Sequence, residues 1–224
     1  MKQLLLDIAP PPAPTLDNFV PGRNGELVAA LSALANGASR ERFIYLWGSA
    51  GSGCGHLLRA VLDAARRNGR RTAWFDAQAA AFDAAEDTLS AVEDVHRLDA
   101  AAQVAMFNLY NRIQGGSGAL VSCGNVPPAQ LALRADLVTR LASGLVYQVH
   151  ALNDDEKSAA LSRHAQARGF RLEQEVAGYL LRHARRDMPS LIALLDALDR
   201  HSLETKRAIT VPLLRELLET GSVP

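Results

Sequence analysis

Apolar positions follow two alternating rhythms up to about residue 150 and a single rhythm after it. Helical spacing marks 24–36, 54–68, 99–114 and 134–142, and short strand-like runs mark 42–47, 72–76, 89–92, 118–122 and 145–149. Strands alternating with helices predict an α/β unit with a central parallel sheet and helices on both faces. Beyond 150 the pattern is helical throughout. Asn153 with Glu156 three residues on predicts a capped helix start, and Gly169 a stop. A second helix is expected near 173–186, with Val176, Leu180 and His183 on one stripe. Asp187 is placed to cap a third helix, whose first turn tolerates Pro189 and whose Leu191, Leu194, Leu195 and Leu198 share a face. Thr210 and Pro212 open a fourth, carrying Leu214, Leu217 and Leu218. These leucine stripes read as helix packing. The expected organisation is a short tail over 1–14, ending in the extended run Pro10–Pro14, an α/β domain over 15–150 and a small all-helical lid over 151–224.

Composition narrows the function classes. The 224 residues are 48% apolar, enough for a substantial core, and carry 24 basic and 24 acidic side chains. A formal net charge of zero argues against a dedicated DNA-binding face, which is ordinarily strongly basic. No apolar run reaches the roughly 18 residues needed to span a membrane, and the amino terminus lacks the layout of a secretory signal. Two cysteines without metal-type spacing, Cys54 and Cys123, suit a reducing cytoplasm. The six histidines are scattered, so no metal site is expected.

The candidate chemistry lies at the end of the apolar run Phe43–Trp47, in the stretch LWGSAGSGCGHLL. A working phosphate-binding loop reads G-x-x-x-x-G-K-[ST]. Gly48, Gly51 and Gly53 are present, but Cys54 stands at the lysine position and Gly55 at the hydroxyl position. The lysine normally meets the β- and γ-phosphates and the hydroxyl binds Mg²⁺. What the loop retains is a set of backbone N–H groups at a helix N-terminus, which attract anions. A charge-assisted hydrogen bond contributes about 1.5–3 kcal/mol, so loss of the lysine alone should weaken binding about 10- to 100-fold. On the motif alone, a phosphate cradle and a purely structural strand-to-helix turn remain equally open.

The surroundings carry more weight. DNFVPGRNGEL at 17–27, YLWGSAGSGCGHLLRAV at 45–61, FNLYNRI at 107–113 and RADLVTRLASGLVYQV at 134–149 follow one another in order. Together they resemble the P-loop AAA+ domain of the DnaA replication-initiator family, and still more the shorter DnaA-related proteins of the Hda family, which inactivate the initiator. The resemblance runs over nearly the whole chain. It implies an ATP site at the sheet edge, an adjoining lid, and an arginine that reaches a neighbour's nucleotide. Glu93 and Asp94, after Leu89–Val92, match the Mg²⁺-organising acidic pair, although the family has aspartate at the first position. Asn125 matches a polar sensor, with a plain turn residue as the other reading. Arg140 in LVTRLASG matches the arginine finger, with a solvated helix arginine as the other reading. RRDMPSL matches the stretch that carries a second arginine sensor, but that position is Pro189.

The departures at Cys54, Gly55, Glu93 and Pro189 all fall on the chain's own nucleotide site, while the arginine that acts in trans is kept. The implied protein therefore needs no cofactor of its own, binds ADP weakly at most, and is an ATPase activator rather than an enzyme. At the amino terminus, Gln3, Leu4, Leu6 and Ile8 resemble a peptide that docks on the bacterial sliding clamp, and Hda proteins carry such a motif at this end. A first strand folded onto the domain is the other reading. The expected partners are DnaA and the clamp, with DNA met only through the clamp. Homo-oligomerisation stays open. An autonomous or loader-like ATPase and a non-stimulating scaffold are the alternatives. No helix-turn-helix domain is expected after residue 220.

Overall fold

The computed structural model describes residues 13–79 and 81–219. They fall into two compact units, one spanning 14–151 and the other beginning at Leu152. The first contains α1 (Gly25–Ala35), β1 (Phe43–Trp47), α2 (Cys54–Arg67), β2 (Thr72–Phe75), β3 (Leu89–Val92), α3 (Ala100–Gly115), β4 (Ala119–Gly124), α4 (Ala135–Ala142) and β5 (Leu145–Gln148).

The strands form one parallel sheet in the order β2-β3-β4-β1-β5. Alternation along each strand sorts its side chains onto two cores. Ile44, Leu46, Leu89, Ala91, Val121 and Cys123 pack against Leu27, Leu31, Leu57 and Val61 of α1 and α2. Tyr45, Val92 and Leu120 point the other way, onto Met106, Leu109, Ile113, Leu137 and Leu141 of α3 and α4. The interior strands β3 and β4 are buried at every position, as expected for parallel strands covered on both faces. At the β5 edge, Leu145 and Tyr147 pack on the core while Val146 and Gln148 are exposed. Arg42 fixes the opposite end of the sheet. Its Nη1 donates to the carbonyls of Ile113, Gly116 and Gly118 at 3.0, 2.9 and 2.7 Å, at and just beyond the end of α3.

The strand order creates a switch point. From β1 the chain crosses to the far edge at β2; from β4 it crosses β1 to reach β5. β1 and β4 are neighbours whose connections leave in opposite directions, and ligands of open α/β sheets bind outside the carboxyl ends of such strands. Those ends are Trp47 and Gly124, which face each other in the ladder.

The second unit is helical: α5 (Asp154–Ala167), α6 (Gln174–His183), α7 (Met188–Thr205) and α8 (Val211–Glu219). Asn153 and Glu156 form the expected reciprocal cap, with both hydrogen bonds at 2.8 Å. Gly169 adopts φ +89°, which suits the expected stop. The leucines at 191, 194, 195 and 198 are buried together with Val176, Leu180, Leu214 and Leu217. One detail differs from the periodicity. α6 ends at His183, so that residue leaves the apolar stripe, is exposed, and stacks on Tyr179 with ring centroids 4.1 Å apart.

Candidate functional site

The loop at the switch point is anchored at both ends. The Gly48 N–H donates to the Gly124 carbonyl at 3.3 Å, which joins the start of the loop to the end of β4. A side chain at Gly48 would meet Ser52 Oγ at 2.6 Å and the Val149 carbonyl at 2.7 Å, so only glycine fits this approach. Gly53 caps α2 with φ +103°, a left-handed conformation that favours glycine, and the Phe19 ring closes over it. No side chain caps the first turn of α2. Its leading N–H groups therefore keep the anion-attracting character that the loop suggested.

The segment before α1 packs on this turn. The rings of Phe19 and His56 lie 5.5 Å apart, and His56 Nε2 is 3.0 Å from the Thr15 carbonyl. Burial holds the His56 imidazole below its usual range despite that hydrogen bond. Asn24, itself buried, donates to the Pro21 and His150 carbonyls at 2.9 and 2.8 Å and accepts from the His150 N–H at 2.8 Å. It thereby ties the segment to the chain beyond β5.

Glu93 reaches the head of α2. Its carboxylate accepts from Arg59 Nη2 at 3.1 Å, and the other oxygen fills the space that a side-chain carbon at Gly55 would need. The Arg59 guanidinium lies over the Trp74 ring at 4.5 Å, and its Nη1 donates to the Gly55 carbonyl at 3.4 Å. A cation from α2 thus meets the acidic residue at the place where a lysine and a hydroxyl are missing. Burial raises the Glu93 carboxyl above the usual carboxylate range, and Arg59 offsets part of that rise. Asp94 turns away in a left-handed conformation, φ +54°, with an oxygen 3.7 Å from Arg97. Asn125 is exposed at the turn after β4, next to Gly124.

Cys54 opens α2 with its sulfur 3.4 Å from Ser52 Oγ and packs on the core that contains Cys123. The interaction between the two thiols is the largest influence on each. It lowers Cys54 and raises Cys123, and burial adds to the rise. Tyr45, whose hydroxyl donates to the Val126 carbonyl at 2.8 Å, is pushed up by burial and by both cysteines.

Arg140 lies elsewhere, on α4. Its guanidinium sits 5.4 Å from the Tyr110 ring centroid and 5.9 Å from that of Phe107. Tyr110 in turn stacks on Phe43, with centroids 4.2 Å apart. Ser143 Oγ donates to the Arg140 carbonyl at 2.8 Å and sits 2.9 Å from the Tyr110 hydroxyl, which therefore donates to it. Arg140 is half-buried, and among the described residues its side chain meets aromatic faces and no carboxylate. Pro189 occupies the first turn of α7. Gln3, Leu4, Leu6 and Ile8 lie outside the described residues.

The structure therefore brings Gly48, Gly51, Gly53, Cys54, Gly55 and Glu93 together, with Asn125 at the turn after β4 and Asp94 paired with Arg97. The motif did not reveal Arg59, Trp74 or Cys123. The available signal for Arg59 was its place one helical turn after Gly55, on the face that Glu93 meets.

Residues 154–218 match the family model described as Hda, lid domain. Over 95% of its length the chain superposes on domain III of the replication initiation protein DnaA from Thermotoga maritima, covering 98% of that domain, with a TM-score of 0.70 at 19% identity. DnaA from Aquifex aeolicus, bound to AMPPCP, matches with a TM-score of 0.66 at 22% identity, over 87% of this chain and 70% of that one. A Thermotoga maritima RuvB variant also matches with a TM-score of 0.66, at 16% identity, over 92% of this chain and 72% of that one. The fold is that of a P-loop AAA+ domain followed by a helical lid.

Proposed function

We propose that this Hda-like, DnaA-related AAA+ protein is a negative regulator of replication initiation that stimulates ATP hydrolysis by DnaA in trans. Arg140 supplies the charge, and the tail carrying Gln3, Leu4, Leu6 and Ile8 tethers the chain to the sliding clamp. Its own ATPase is lost. The chain resides in the cytoplasm, requires no nucleotide, and meets DNA through the clamp.

The observation that carries this reading is an asymmetry between two arginines. Arg59 is committed to Glu93 within the chain's own loop, where Cys54 and Gly55 offer neither cation nor metal ligand. Arg140 rests on Tyr110 and Phe107, and no ion pair with a carboxylate is found for it among the described residues. Arginine suits the task because its charge is permanent and its planar fork meets phosphate oxygens in pairs. In GTPases an arginine supplied in trans raises the rate about 10³–10⁵-fold, because it stabilises charge that develops in the transition state.

The test is DnaA ATP hydrolysis with this protein, clamp and DNA, each omitted in turn. Arg140→Ala should lower stimulation by at least about tenfold, equal to roughly 1.4 kcal/mol of transition-state stabilisation. Folding and clamp binding should stay intact. Arg140→Lys should rescue poorly, since ammonium is a point charge without the fork. Undiminished stimulation by Arg140→Ala would leave only a binding role.

A further inference from the structure

On the reading of Arg140 as the finger, we propose that Tyr110 is its positioning residue, with the ring against the guanidinium and the hydroxyl on the turn that ends α4. Tyr110 is 3% exposed, and a ring so buried must find a partner for its hydroxyl. It finds Ser143 Oγ at 2.9 Å, and Ser143 carries the link on to the Arg140 carbonyl at 2.8 Å. The Ser143 N–H donates to the same carbonyl at 3.3 Å. One side chain of α3 therefore meets Arg140 twice. It lies 5.4 Å from the guanidinium, centroid to Cζ, and reaches the backbone through Ser143.

The ring is held in its turn. It stacks on Phe43, the first residue of β1, with centroids 4.2 Å apart. Gly144, which follows Ser143, passes so close to Phe43 that a side-chain carbon there would collide with the Phe43 carbonyl. The end of α4, the start of β1 and the middle of α3 thus meet around one buried ring.

The nearest competitor on α4 is occupied elsewhere. Asp136 stands four residues before Arg140, the spacing at which a carboxylate pairs with an arginine on one helix face. Arg134 holds it instead, with Nε and Nη2 at 3.2 and 2.8 Å from its two oxygens. An aromatic face attracts a cation without neutralising it, whereas a carboxylate would have to be displaced by an incoming phosphate. An arginine free in solvent also loses its rotamer freedom when it engages the transition state. One that Tyr110 already holds loses less, so the effect falls on the rate at saturation and not on binding.

The test titrates the full-length chain against DnaA on clamp-loaded DNA and, in the free chain, follows ¹⁵N relaxation of the Arg140 Nε–H group. Tyr110→Leu removes ring and hydroxyl together. It should lower maximal stimulation roughly three- to tenfold, leave the half-maximal concentration unchanged and make the Arg140 side chain mobile. A merely structural defect does the reverse, since fewer folded molecules raise the half-maximal concentration and leave the maximum intact. Tyr110→Phe and Ser143→Ala remove the hydroxyl link from its two ends, and both should lower the maximum by the same smaller factor, about two- to threefold. Ser143 is exposed, so Ser143→Ala and the relaxation of the parent chain carry the test even if Tyr110→Leu folds poorly. In an Arg140→Ala background, Tyr110→Leu should cost nothing further. If Arg140→Ala stimulates like the parent, the finger itself falls, and this role of Tyr110 with it. If Arg140→Ala loses stimulation while Tyr110→Leu keeps the full maximum, or Tyr110→Leu costs as much without Arg140 as with it, or the Arg140 side chain is as mobile in the parent as in Tyr110→Leu, the finger stands and Tyr110 does not position it.

Discussion

Arg59 bears most directly on what the degenerate loop can still do. Its guanidinium lies against Trp74 and Glu93 at the head of α2, with Glu93 filling the space that a serine or threonine at position 55 would occupy. Both partners keep solvent contact, 50% for Arg59 and 23% for Glu93, so the pair is a modest stabiliser and its importance is steric and local. A cation beside the loop attracts phosphate, whereas a carboxylate at the head of α2 repels it, and Gly55 supplies no hydroxyl at the position that binds Mg²⁺. The isolated chain is therefore expected to turn over no ATP above background. Its nucleotide affinity should fall about 10- to 100-fold below that of a lysine-bearing loop and change little with Mg²⁺. Calorimetry with ATP and ADP, each with and without Mg²⁺, checks this; tight and Mg²⁺-dependent ATP binding would falsify it. The glycines and the departures at Cys54 and Gly55 were legible in the sequence because a motif fixes their spacing. Arg59, Trp74 and Cys123 were not, because they reach the loop from a helical turn and two strands that only the sheet order brings together.

Helix ends were the most legible elements, since a cap is a local event. Asn153–Glu156 and Asp187 were readable as starts, and both make the hydrogen bonds expected of them. The end of α6 was less so. Ala184 turns extended, φ −109° and ψ 170°, because the chain must straighten to bring Asp187 into capping position three residues later. Periodicity carries no record of that requirement, and it therefore assigned His183 to the core. Asp187 accepts from the Ser190 N–H at 2.9 Å. Partial burial pulls its carboxyl upward, but the hydrogen bonds from Ser190 outweigh this and hold it below the ordinary aspartate range. Asp187→Ala should cost about 1 kcal/mol, the usual loss for an N-cap. A group with a depressed folded pKa stabilises fully above its unfolded pKa and loses that contribution as pH falls through the folded value. The gap in unfolding free energy between Asp187→Ala and the parent should therefore be widest near neutrality and narrow in acid. Denaturant unfolding at a series of pH values measures it. A gap that grows on acidification would show that the carboxylate is not what caps α7.

At the scale of the whole molecule, net charge zero leaves little long-range attraction to DNA, so a role at DNA depends on something that brings the chain there. The proposed tether is the tail over 1–14. A tether converts an encounter between proteins into an intramolecular one, with effective concentrations that reach the millimolar range for short linkers. The tail and Arg140 should then fail in different ways. Removal of residues 1–8 should abolish clamp binding and leave the melting temperature nearly unchanged, because an undocked terminus adds little to a core. Stimulation of DnaA by the truncated chain should be low at dilute concentration and recover as its concentration is raised, since Arg140, the proposed finger, is intact and only its delivery is lost. Arg140→Ala should remain low at every concentration, since delivery is intact and the arginine is missing. Titrating each variant against a fixed amount of DnaA on clamp-loaded DNA separates the two. A truncated chain that still binds clamp rules out the tether. A large fall in its melting temperature would instead show that 1–8 packs as a strand on the domain, the reading in which Leu4, Leu6 and Ile8 belong to the core rather than to a partner.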